Sequence, residues 1–265
     1  QCLNHALLYA FAKLNGPDMT ARLKQVMKEL DEANLSPPRM HALSYVFRDL
    51  QDSKEGFENL LSACFEQWPH LEPDNSLVEL YARTYYLDLI KQGKMSLLQQ
   101  NPNIVRQNVI DILDEVRRRF NTVHGGVLII LAKDYAMKHN PQAVFTLREL
   151  VASGQLEFVQ RRDDMSWLWH YSVMAVSKIN YEEALRKLDE MRNNGFKPST
   201  STYSVLVTSC PDPSRVGELY DMMKADGLTI DSDILRLMVI ATMNKPEIQQ
   251  RLIKEAALNS LPVVA

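Results

Sequence analysis

Apolar residues recur every three to four positions along this chain, in runs separated by Gly, Pro, Asn and Asp, the signature of amphipathic helices joined by short turns. Ala6, Leu7, Ala10, Phe11 and Leu14 form one stripe and Leu23, Val26, Met27 and Leu30 the next, divided by Asn15-Gly16-Pro17-Asp18. The pattern predicts helices over 4–14, 19–33, 40–51 and 54–67. A helix from Ser76 through Leu89 follows, then a short one near 95–99, and after Asn101-Pro102 a longer one over 103–119. Four more pairs are predicted: 124–138 with 141–153, 165–178 with 181–194, 202–210 with 213–225, and 232–242 with 246–258. Pro141 suits a first helical residue. Gly93, Gly154, Gly195 and Gly227 mark helix ends. No alternating run bounded by a hairpin turn signal is seen.

The helices repeat. His5-Ala6-Leu7-x-Tyr9-x-Phe11 returns 36 residues later as His41-Ala42-Leu43-x-Tyr45-x-Phe47. Tyr171-Ser172-Val173-Met174 returns 32 residues later as Tyr203-Ser204-Val205-Leu206, and Gly195 returns at the same offset as Gly227. A period in the thirties signals stacked two-helix units. The expected fold is all-α, a right-handed α-solenoid of helix-turn-helix repeats. A single array of about six to seven pairs is expected over 1–265: two repeats in 1–74, a divergent middle in 75–164, and two clearer repeats plus a partial one in 165–265. A connector over 155–164 carries Arg161-Arg162-Asp163-Asp164. The apolar tail Leu261 to Ala265 points to an array that is cut short or docks on something, and the start at Gln1 to a fragment of a longer chain.

With 46% hydrophobic residues the chain can bury a large interior. Its net charge of -3 does not advertise nucleic-acid binding, but the charge is unevenly spread. Residues 1–74 hold 7 Lys/Arg against 11 Asp/Glu, residues 75–162 hold 12 against 8, and residues 163–265 hold 11 against 14. The middle is basic, densest at Arg117-Arg118-Arg119 and Arg161-Arg162. These arginines are either phosphate contacts or a solvated helix end, where cations suit the dipole. Cys2, Cys64 and Cys210 show neither pairing nor metal spacing, which points to reduced thiols in a reducing compartment. The longest apolar run, Val127 to Ala132, is too short to span a bilayer.

Residues 181–199, Tyr-Glu-Glu-Ala-Leu-Arg-Lys-Leu-Asp-Glu-Met-Arg-Asn-Asn-Gly-Phe-Lys-Pro-Ser, resemble the second helix and tail of a pentatricopeptide repeat. Thr202-Tyr203-Ser204-Val205-Leu206-Val207 is similar to that family's first-helix opening. The match is most specific over 169–231, looser in the first two units, and confined to helix-pair spacing over 75–160. Tetratricopeptide repeats fit less well, because their early Trp and Leu-Gly are missing. The resemblance implies first helices lining one face and single-stranded RNA read one base per repeat. It places the base-facing pairs at Ser44 with Asp74, Ser172 with Ser199, and Ser204 with Asp231. A hydroxyl with a carboxylate resembles a guanine-preferring pair, and two serines a weak purine preference. Leu8, Pro38 and Leu128 at the matching places of other units cannot hydrogen-bond a base. Each serine is equally an ordinary helix residue, and Asp74 and Asp231 equally N-caps of the next helix.

No phosphate loop, His-Glu-x-x-His or Gly-x-Ser-x-Gly is present, and His5, His41, His70, His124, His139 and His170 are dispersed. No enzyme, cofactor or metal is expected. Asp163-Asp164 lacks a third ligand nearby. The expectation is a single-stranded RNA-binding array acting in mitochondrial RNA stability, processing or translation, located in the mitochondrial matrix. The basic middle would meet phosphates, and polar residues with aromatics such as Tyr203 would lie near bases. The alternative is a protein-interaction scaffold in a mitochondrial ribosome or assembly complex, favoured by the acidic ends and the apolar tail.

Overall fold

The computed structural model describes residues 19–33, 47–48, 53–69, 72–154 and 162–258. Ser44, the helix at 4–14, most of that at 40–51, Leu8, Pro38, His5, His41, His70, Arg161 and the apolar tail lie outside the described residues. The regular elements among the described residues are helices: α1 (Met19–Glu32), α2 (Lys54–Gln67), α3 (Asn75–Lys91), α4 (Pro102–Phe120), α5 (Gly126–Met137), α6 (Pro141–Ala152), α7 (Arg162–Ser177), α8 (Tyr181–Asn193), α9 (Thr200–Ser209), α10 (Val216–Ala225), α11 (Ser232–Ala241) and α12 (Pro246–Leu258). A 3-10 turn, Pro213–Arg215, leads into α10.

Helix ends follow from local chemistry. In α8 the Asn180 side chain accepts from the Glu183 amide, Glu182 and Glu183 sit in the first turn and Arg192 in the last. Each complements the charge of the helix terminus it stands on. Gly195 then takes φ +80 and Gly227, after α10, φ +70, a left-handed backbone that closes a helix and favours glycine. Two predicted boundaries are corrected. Residues 95–99 are not helical. The Gln99 carbonyl accepts from Asn140 Nδ2 at 2.7 Å, and Pro102 disfavours helix in the residue before it. The stretch 162–164 belongs to α7 rather than to a connector, with Asp163 and Asp164 in the positive first turn.

The described residues form two compact units. The first holds those up to Leu97 with Arg106–Leu131; the second holds Leu98–Val105 and those from Ala132 onward. In the first unit α1 packs on α2 and α2 on α3. Its core carries a chain of rings, Phe47 to Phe57 at 4.6 Å, Phe57 to Tyr81 at 5.8 Å and Tyr81 to Phe120 at 5.2 Å. The Tyr81 hydroxyl lies 2.7 Å from Glu115 and 3.2 Å from Glu58. Burial and these two carboxylates push its pKa up.

In the second unit α7 pairs with α8, α9 with α10, and α11 with α12. First helices also pack on first helices, α7 on α9 and α9 on α11, and α10 packs on α12. A hairpin that touches the next hairpin through both of its helices is the stacking of an α-solenoid. One continuous core runs through it: Val173, Val176, Ala184 and Leu188, then Tyr203, Leu206, Val216 and Tyr220, then Ile234, Met238 and Leu252.

Candidate nucleic-acid interface

The stacking register of the second unit is written in hydrogen bonds. His170 Nδ1 lies 3.1 Å from Thr202 Oγ1, and Ser209 Oγ 3.1 Å from Ser177 Oγ. Both pairs are 32 residues apart, the repeat length itself. Above the buried side of α9, Ser201 and Thr208 are exposed and Ser204 and Val205 half-buried. Their spacing of three and four residues puts them on one helical stripe. On α11 the exposed residues Asp233, Arg236 and Ile240 form the matching stripe.

Ser204 lies within this stripe. Its hydroxyl donates to the Thr200 carbonyl at 3.0 Å, which leaves its oxygen lone pairs able to accept. Ser199 is exposed and caps α9: its Oγ accepts from the Thr202 amide at 3.3 Å in a capping box. Asp231 is exposed and caps α11, accepting from the Asp233 amide at 3.0 Å and the Ile234 amide at 2.9 Å through one oxygen. Asp74 caps α3, accepting from the Leu77 amide at 2.8 Å. Ser199, Ser204 and Asp231 therefore sit on two helices that pack together.

Ser172 does not join them. It is fully buried, and its hydroxyl donates to the Leu168 carbonyl at 2.8 Å. A buried serine cannot meet a base edge, so the predicted pair with Ser199 is corrected. Tyr203 is likewise buried rather than near bases. Its hydroxyl donates to Asp226 at 2.5 Å and accepts from Arg192 Nη2 at 2.6 Å. Burial, and then the bond to Asp226, push its pKa up.

The arginine triplet ends α4 in the first unit. Arg117 meets Asp114 at 2.8 Å, Arg118 meets Glu115 at 2.7 Å, and Arg119 donates to Ser62 Oγ at 3.0 Å. Burial alone would raise the Glu115 carboxyl, but hydrogen bonds from Arg118 and Tyr81 leave it below its usual value. Phosphates would have to compete with acids of the same helix for Arg117 and Arg118. Arg236 was not among the expected site residues. It lies 32 residues after Ser204, the offset that separates Gly195 from Gly227, and it is exposed. That glycine offset is the signal that finds it.

The opposite side of the second unit is cross-linked by charge. Arg215 pairs with Glu182, Arg192 with Asp226 at 2.9 Å, Arg251 with Asp221 at 2.6 Å and Lys224 with Glu255 at 3.1 Å. Each bond joins one second helix, or its flanking turn, to the next. Among the described residues no group of three metal-ligating side chains is found, and no helix is long and apolar enough to cross a membrane.

No protein-family model matches the chain, and no curated protein does. Solved structures do. The chain is similar to the crystal structure of the pentatricopeptide repeat protein PPR10 from maize, with 16% identity over 98% of this chain and 39% of that one, at a TM-score of 0.47. It is also similar to PPR10 in complex with an 18-nt psaJ RNA element, with 17% identity over 98% of this chain and 48% of that one, at a TM-score of 0.37. The chain spans less than half the length of either structure. Its helical-repeat fold stands on its own hairpins and their register.

Proposed function

We propose that this chain binds single-stranded RNA along the first helices of its second unit. The observation that carries the proposal is the polar stripe of Ser201, Ser204 and Thr208 on α9, which continues on the packed helix α11 as Asp233 and Arg236. Hydroxyls, exposed at Ser201 and Thr208 and half-buried at Ser204, and a carboxylate supply base-edge partners, and Arg236 supplies a phosphate contact. Ser204 with Asp231 is the pair proposed to favour guanine. Asp74, with Ser44, is proposed as a second pair, and Arg117, Arg118 and Arg119 as weaker phosphate contacts. No catalytic role is assigned. By the same resemblance to pentatricopeptide repeats, we infer a mitochondrial matrix protein that acts on transcript stability, processing or translation.

Binding to a mixed-sequence single-stranded RNA, followed by fluorescence anisotropy over a salt series, tests the proposal. Affinity is expected to fall linearly with salt on logarithmic axes. No binding at low salt contradicts it.

A second reading, a scaffold for a protein partner such as a mitochondrial ribosome subunit, is favoured by one observation. Ile240 and Met243 at the end of α11 are 52% and 64% exposed. A stoichiometric protein partner that survives nuclease treatment would support it.

A further inference from the structure

We propose that Trp167 is a stacking platform for one unpaired base of a bound single strand, a role that rests on the RNA-binding proposal above. Of the three tryptophans, Trp68 and Trp169 are 6% and 5% exposed, whereas Trp167 is 41% exposed. Its indole is nonetheless held in place. Tyr171, one turn further along α7, stacks on it at 6.0 Å and 26° between planes. The His170 ring meets it edge-on at 5.5 Å and 89°.

The support is itself fixed. His170 and Tyr171 are buried and meet edge-on at 5.0 Å. His170 is tied to Thr202 of the next first helix at 3.1 Å. Held by Tyr171 and His170, the indole still keeps enough exposed surface to meet a planar ligand. An aromatic side chain held this way loses little freedom when a planar ligand settles on it.

The surroundings select a base over an apolar partner. Among the described residues of α7 near Trp167, Asp163 is exposed and Ser166 half-buried, with Met174 half-buried two turns further on, so the indole is bordered by polar groups on its N-terminal side. A nucleobase has a flat apolar face and a hydrogen-bonding rim, and matches such a setting. A contiguous apolar patch would suit a protein. Trp167 also lies 32 residues before Ser199, which lies 32 before Asp231, so it stands at the same repeat position as these two caps. Every base offers a π-face, so Trp167 is expected to add affinity with little sequence preference.

Intrinsic fluorescence with two variants tests this on the full chain. The probe is a mixed-sequence single-stranded RNA, with oligo(U) and oligo(A) as separate arms. Stacking predicts quenching of the exposed tryptophan on binding, an affinity loss of about tenfold or more in Trp167→Ala for every probe, and near wild-type affinity in Trp167→Phe. Circular dichroism is expected to be unchanged, since the side chain is partly exposed. If the wild type binds RNA with unaltered emission and Trp167→Ala binds equally well, stacking is overturned and RNA binding stands. If the wild type binds no single strand, both proposals are overturned.

Discussion

Asp231 and Ser199 each hold a helix N-terminus with the same oxygen chemistry that a base edge would need. Cap and reader are compatible in Asp231, because one carboxylate oxygen takes both backbone amides and the other remains available. Asp231→Ala is expected to cost about 1 kcal/mol in urea unfolding, and Asp231→Asn only a few tenths, since asparagine caps almost as well. If the carboxylate reads guanine, Asp231→Asn changes base preference while leaving stability nearly intact. His170 makes a second, pH-dependent prediction. Burial lowers its pKa from the usual 6.5 to about 4. The unfolded chain therefore takes up a proton near 6.5 that the folded chain refuses until about 4. This contribution to stability is fully present above 6.5 and is lost as pH falls toward 4, by roughly 3 kcal/mol in all. Urea midpoints across that window should fall more steeply in wild type than in His170→Gln. The roles of Asp74 and Asp231 as caps were legible, because an aspartate just before an apolar helix has few other uses. The burial of Ser172 was not. It shares Tyr-Ser-Val with Ser204, yet one is sealed and the other half-exposed. What differs is the packing around each helix, which the local sequence does not carry.

Helix boundaries were readable because each end is set within a few residues by a cap, a charge or a glycine. The short helix expected near 95–99 failed for a tertiary reason, the Gln99 carbonyl being taken by Asn140 from 41 residues away. The bonds between second helices were also invisible in sequence, since each partner alone looks like an ordinary surface charge. They are not equivalent. Arg192 is three-quarters buried and joins Asp226 and Tyr203 at once. Removing it leaves the half-buried Asp226 carboxylate without its cation, with only the Tyr203 hydroxyl still donating to it. Arg192→Ala is expected to cost about 2 kcal/mol in denaturant unfolding. Arg186 pairs with Glu183 within α8 but is 70% exposed. Arg186→Ala is expected to change stability by less than about 0.5 kcal/mol. Equal losses in the two variants would mean that the cross-helix bonds do not tie the repeats together.

A stack of hairpins has no single cavity in which chemistry gathers, so its function lies in which side chains one face repeats. In the second unit one side is tied by ion pairs between second helices, and the other presents Ser201, Ser204, Thr208, Asp233 and Arg236 on first helices. The positive charge that sequence places in the middle of the chain is partly answered there, by Asp114 and Glu115. Arg236, from an acidic stretch and exposed on α11, is the stronger candidate for the proposed phosphate contact. Arg236→Ala should weaken binding about equally for all RNA sequences and reduce the salt slope by about 1. Arg117→Ala should reduce it less. The decisive measurement is a residue-resolved ultraviolet crosslinking map of bound single-stranded RNA. Crosslinks on the exposed residues of α9 and α11, and none on α8, α10 or α12, are the predicted result. Crosslinks confined to the second helices, or none at all, would contradict RNA binding along the first-helix face.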